Sequence, residues 1–130
     1  MASKGLERLK RLRNRFARLR HPKHFRMAQV AIKTDCGAAM CFIGHTLVAE
    51  GYKMRLRKQW QAFRGCDAAR SDYDFISPAG RRSREPYRAA QRLLGLSWRE
   101  AEDLFQDFRV KTIPQAIKKL DALIAAKEQR

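Results

Sequence analysis

The chain is short of acid. Its 130 residues carry 13 Asp and Glu against 29 Lys and Arg, a formal net charge of +16. So few carboxylates cannot keep a polyanion away, and the balance points to nucleic acid, an anionic membrane surface or an acidic protein as partner. Long hydrophobic runs are missing too. None approaches the ~20 residues that span a bilayer, and the basic start lacks the apolar stretch of a secretory signal. Three cysteines at irregular spacing do not make a disulfide framework, which favours a reducing cytoplasm. Histidine is confined to His21, His24 and His45, and no internal repeat is visible.

What is present suits one modest core. The length fits a single domain, and 45% hydrophobic residues is too many for a typical disordered chain. The positive charge is uneven. Residues 1–65 hold 16 basic and 3 acidic side chains, net +13, whereas residues 66–130 hold 13 and 10, net +3.

Residues 4–20 read as an amphipathic helix. Leu6, Leu9, Leu12, Phe16 and Leu19 recur at helical spacing, with Ser3 placed to cap the start. Lys4, Arg8, Lys10, Arg11, Arg13, Arg15, Arg18 and Arg20 cover much of the remaining circumference. His21-Pro22 ends the helix, because the residue before proline avoids the helical region. This divides the chain into a basic helical arm, 1–21, and a helical domain, 22–130. Within the second part, 23–35 reads as a connection. Residues 37–50 read as a central helix, apolar nearly all round. Residues 52–58 alternate apolar and basic like a strand, yet the following segment favours helix. Residues 66–83 read as a long surface connection. "REPYRAAQRLLG" is a helix with Pro86 in its first turn and Gly95 past its end. Ser97 with Glu100, and Thr112 with Gln115, have the spacing of capping boxes. The expected fold is mostly α: a single compact helical domain of about five helices.

"TDCGAAMCFIGH", residues 34–45, is the stretch that most resembles a site. Cys36 at a helix start would have a lowered thiol pKa, and "DCGAAMC" resembles the nucleophile segment of papain-like and bacteriocin-processing peptidases. Such an enzyme needs a histidine base within reach. On one helix Cys36 and His45 would lie roughly 13 Å apart at ~1.5 Å per residue. Cys41 and His45 are neighbours at i, i+4, but in apolar surroundings. His24 folding back on Cys36 is the remaining opening. As a metal site, Cys36, Cys41 and His45 with His24 or Cys66 match structural zinc poorly, since the spacing is C-x4-C. The favoured reading is structural: buried cysteines, a close helix approach at Gly44, and His45 bonded to a backbone carbonyl. No catalytic residue, cofactor or metal is expected.

Phe25 and Met27, then Cys36, Gly37, Cys41, Gly44 and His45, then Ala90, Leu94, Gly95, Leu96, Ser97, Glu100, Ala101, Leu104 and Phe105, and finally "KTIPQAIKKLDALI" follow one another in a recognisable order. Over about residues 24–125 this resembles a family of small bacterial and phage proteins with F-x-M, C-G-T-x-x-C-I-A-G-[HW] and L-G-L-S-x-x-E-A-x-x-L-F segments. Ala38 and Ile43 depart from that pattern, as does Ile113 between Thr112 and Pro114, and helix 4–20 is not part of it. The resemblance implies a small helical fold and brings no established activity.

"AAQRLLGLSWREAEDLF" also looks like a helix-turn-helix, but its second helix would present Trp98, Arg99, Glu100, Glu102 and Asp103. Three acids there would be repelled by phosphate, so two packed helices are the better reading. The basic surface lies elsewhere: helix 4–20, then Lys53, Arg55, Arg57 and Lys58, then Arg81, Arg82, Arg84, Arg88 and Arg92, with Tyr52, Trp60 and Tyr87 interleaved. The expected function is non-catalytic binding of DNA or RNA, mainly through phosphates. The competing class is a phage or mobile-element protein-interaction module that docks on an acidic or nucleoprotein surface, for example as an inhibitor of a host defence nuclease. Membrane-surface binding through helix 4–20 is a third option.

Overall fold

Five α-helices and a four-stranded mixed sheet make up the computed structural model, which describes residues 3–20, 22–27, 29–34, 37–63 and 66–129. Side chains are described for all of these except 29, 32–34, 37–39, 58–63 and 66–70. In chain order the elements are α1 (Lys4–Arg18), a 3-10 turn (Pro22–His24), β1 (Gln29–Thr34), β2 (Gly37–Met40), α2 (Phe42–Ala49), β3 (Lys53–Phe63), β4 (Cys66–Ile76), α3 (Pro86–Leu93), α4 (Trp98–Phe105) and α5 (Ile113–Glu128). Helix outweighs strand, so the fold is mostly helical, but it is not purely α.

The sheet corrects the expectation at four places. Its order is β2-β1-β4-β3, with β1 antiparallel to β2 and parallel to β4, and β3 antiparallel to β4. Residues 23–35 hold β1 as well as the turn. The stretch 37–50 is not one helix: β2 takes its first four residues, Cys41 is the N-cap, and α2 begins at Phe42. An unbroken apolar run suits a buried strand as well as a buried helix, so periodicity could not divide it. The alternation at 52–58 is that of a strand after all, since Lys53–Phe63 is β3. Residues 66–76, read as part of a connection, form β4. Its Asp residues are of a type depleted in strands generally, but Ser71 and Phe75 are fully buried and Asp74 nearly so.

Helix α1 forms as its pattern predicts. The Ser3 side chain accepts from the Leu6 amide at 3.1 Å, and Leu6, Leu9, Leu12 and Phe16 all face inward. They enter the common core with Phe25, Val30, Phe42, Leu47, Leu94, Leu104 and Leu120. Phe16 meets Phe25, Phe42 and His45 at ring-centroid distances of 5.2, 5.3 and 4.9 Å. A boundary at residue 21 therefore does not separate α1 from the core it helps to build.

Backbone approach fixes the other joints. A Cβ on Gly44 would stand 2.3 Å from the Val30 carbonyl oxygen and 2.8 Å from the Met40 Cβ, so only glycine lets α2 lie against β1 and β2. Between α3 and α4, Gly95 has φ of 63°, in the left-handed region. Both expected capping boxes are present, Ser97 with Glu100 and Thr112 with Gln115. Lys127 of α5 ties these parts together, reaching the Gly95 carbonyl at 3.1 Å and Glu100 at 3.2 Å. No helix among the described residues is long and apolar enough to cross a membrane.

Candidate nucleic-acid interface

Of the Cys-His stretch, Cys41 and His45 are described, and both are packed in the core. Cys36 lies outside the described residues, and the side chain of Cys66 is not described. Cys41 is buried, and burial pushes its thiol pKa up to about 11, against formation of a thiolate. His45 is buried on α2 with both ring nitrogens engaged. The Arg15 Nε–H donates to its Nδ1 at 3.0 Å, and its own Nε2–H donates to the His24 carbonyl at 2.8 Å. Burial first, then the Arg15 charge, lower its pKa to about 3. A neutral imidazole held this way has no lone pair left for a metal. His24 meets it through backbone. Among the described residues no group of three His, Cys, Asp or Glu side chains is placed to hold a metal ion.

The cations of α1 are more numerous than available. Glu50, nearly buried at the end of α2, draws in Arg8 (3.4 Å) and Arg11. Its Oε2 is buried without a hydrogen-bond partner, so both guanidiniums are needed to offset a desolvated carboxylate. Arg8 also donates to the Leu93 carbonyl at 3.1 Å. Arg13 pairs with Asp121 at 2.9 Å, and Lys10 sits 3.7 Å from Glu128, both on α5. Arg15 is taken by His45. That leaves Lys4, Arg18 and Arg20, which are exposed and have no side-chain partner among the described residues.

On the sheet, Arg55 stands opposite Asp74 in the register. The two pair at 3.5 Å, and Arg57 meets the same carboxylate at 3.4 Å. Lys53 is exposed, and the Lys58 side chain lies outside those described. Asp74, invisible as a partner in the linear sequence, thus absorbs two of the four cations expected here.

The third run differs. Between β4 and α3 the chain closes a tight turn. The Ser77 amide donates to the Arg81 carbonyl and the Gly80 amide to the Ser77 carbonyl, both at 2.8 Å, and the Arg81 amide donates to Ser77 Oγ at 3.1 Å. Ile76 and Arg82 form a β-bridge, and the Ser83 amide reaches the Phe75 carbonyl at 2.8 Å. The connection is therefore built onto β4. It borders a cleft of about 390 Å³ lined by Arg81, Arg82 and Arg84, by Arg92 from α3, and by Tyr52 and Glu85. All four arginines are exposed, and none has a side-chain partner among the described residues. Arg88, one turn along α3, is 3.9 Å from Glu85 and mostly exposed. Sequence reasoning named the basic run but not its convergence on a cleft. Ser77-Pro78-Ala79-Gly80 signals a turn, yet gives no sign that the turn folds back on a strand.

The helix-turn-helix segment is two packed helices. Ala101 and Leu104 are buried, and α4 exposes Trp98, Arg99, Glu102 and Asp103. Asp103 and Asp107 both meet Lys119, at 3.4 Å and closer, and Asp107 also meets Arg109 at 2.9 Å. The two guanidinium and ammonium partners hold the Asp107 carboxyl below its ordinary range. No protein-family model, curated protein or solved structure matches the chain.

Proposed function

We propose that the protein is a non-catalytic nucleic-acid-binding protein that works mainly through phosphate contacts. The observation carrying this reading is the set of unpartnered arginines on the β4–α3 connection and α3, in a chain of net charge +16. Guanidinium groups without internal carboxylates are free to replace the counterions of a phosphate backbone, which supplies affinity without reading sequence. Lys4, Arg18, Arg20 and Lys53 add exposed charge. A reducing cytoplasmic setting fits the buried free thiol of Cys41. The test is binding of random duplex DNA and single-stranded RNA at ~50 mM and ~200 mM salt, where affinity should fall steeply between the two. No binding to either at the lower salt ends this reading.

One observation favours a second reading, a protein-interaction module. Trp98 is 68% exposed and Phe108 55% exposed, beside the acidic residues of α4. Large exposed aromatics are common anchors of protein interfaces. Under this reading the arginines face an acidic protein surface, and Trp98→Ala should weaken partner binding as well.

A further inference from the structure

The geometry points to the cleft between the 77–84 turn and α3 as a phosphate seat, the anchor of the nucleic-acid surface proposed above. The inference deepens that reading and rests on it for the identity of the ligand. Arg81, Arg82, Arg84 and Arg92 surround one cavity of about 390 Å³, and Glu85 is the single carboxylate in its lining. Four like charges are gathered there against that one carboxylate, so the free protein holds them at an electrostatic cost that a bound anion relieves. Each guanidinium offers a planar fork of donors suited to two phosphate oxygens.

Backbone bonding holds the turn in place. The hydrogen bonds across Ser77–Arg81, the Ile76–Arg82 bridge and the Ser83–Phe75 bond fix the backbone from which three of the four arginines project. Below it, Phe75, Tyr87 and Ala89 are buried and hold β4 and α3 in place. A backbone already in place spares that part of the ordering cost on binding, leaving only the arginine side chains to be fixed. The size is that of a small-ligand pocket, enough for a nucleotide-sized portion of a strand. An extended acidic peptide would instead match cations spread along a track, and here they share one cavity.

The experiment has three ligands and two proteins, the full chain and its R82A/R84A/R92A variant. Inorganic pyrophosphate is titrated by calorimetry. A labelled single-stranded RNA of about 20 nucleotides is followed by fluorescence anisotropy at ~50 mM salt, and a Glu-rich peptide serves as competitor. The substituted side chains are exposed and repel one another, so the variant should melt no lower than the wild type. Expected are pyrophosphate binding by the wild type that the variant loses, and an RNA affinity reduced roughly tenfold or more, since each lost phosphate contact forfeits its counterion release. RNA binding unchanged in the variant overturns the cleft as anchor while leaving the nucleic-acid reading intact. Pyrophosphate binding without RNA binding supports the cleft and ends the nucleic-acid reading. A Glu-rich peptide that displaces pyrophosphate more strongly than RNA does overturns the phosphate assignment in favour of an acidic protein.

Discussion

Helix α1 and the 77–92 region carry similar densities of arginine, and the fold uses them differently. In α1, Arg8 and Arg11 neutralise Glu50, Arg13 pairs with Asp121, and Arg15 donates to His45. In the other region Arg81, Arg82, Arg84 and Arg92 keep their guanidiniums open around a cleft. One helix spends its cations on holding the core's polar neighbours in place. The other segment presents them. Net charge per segment measures neither; the decisive quantity is how many cations have no side-chain partner among the described residues and share one cleft.

If α1 is structural, losing its buried face should undo the fold. Phe16→Ala should lower stability by roughly 3–5 kcal/mol, the usual range for a fully buried aromatic, read by chemical denaturation. Deleting residues 1–20 removes Leu6, Leu9, Leu12 and Phe16 from the core and should leave no cooperative unfolding transition. A truncated chain that melts cooperatively would show α1 to be a detachable arm.

The Arg15–His45 contact makes a pH prediction of similar size. The folded pKa of His45 is lowered to about 3 from an ordinary 6.5. A group neutral in the fold and protonated in the unfolded chain destabilises as pH falls. Its effect is absent above about pH 6.5 and grows down to about pH 3, reaching on the order of 5 kcal/mol. His45→Gln cannot take up that proton. It should therefore flatten the stability–pH profile in that window, whatever it does at neutral pH. Identical slopes for the two proteins would contradict a buried neutral imidazole.

A smaller change touches neither region. Ser97→Ala removes the acceptor for the Glu100 amide at the start of α4 and should cost ~1 kcal/mol. RNA affinity should stay the same. If Ser97→Ala weakened RNA binding as much as it weakened the fold, the binding surface would have to include α4.

The legible parts of the fold were those set by local rules. Ser3, Ser97 and Thr112 announce their helices by capping chemistry, and the Leu6–Phe16 stripe announces α1 by its period. The sheet was not legible because its strands lack a clean alternation, although only the β1–β4 pairing joins segments far apart in the chain. Gly37–Met40 is apolar on every side, and β4 hides its core residues Ser71 and Phe75 among aspartates. The basic runs could be listed, but not sorted. Glu50, Asp74 and Asp121 lie far along the chain from the arginines they hold, and only the fold shows that Arg81, Arg82, Arg84 and Arg92 have no such partner among the described residues. His45 was legible as a residue bonded to a backbone carbonyl; its second bond, to Arg15, was not.

The most direct test is the salt dependence of RNA binding for two triple variants, R82A/R84A/R92A and R11A/R13A/R15A. If free rather than total charge governs binding, the first should flatten the slope of log affinity against log salt by up to ~3 units, one per lost phosphate contact. The second should flatten it by less than ~1 unit, because its arginines are already engaged within the fold. Equal flattening by both variants, or a larger effect from the α1 variant, would contradict the account.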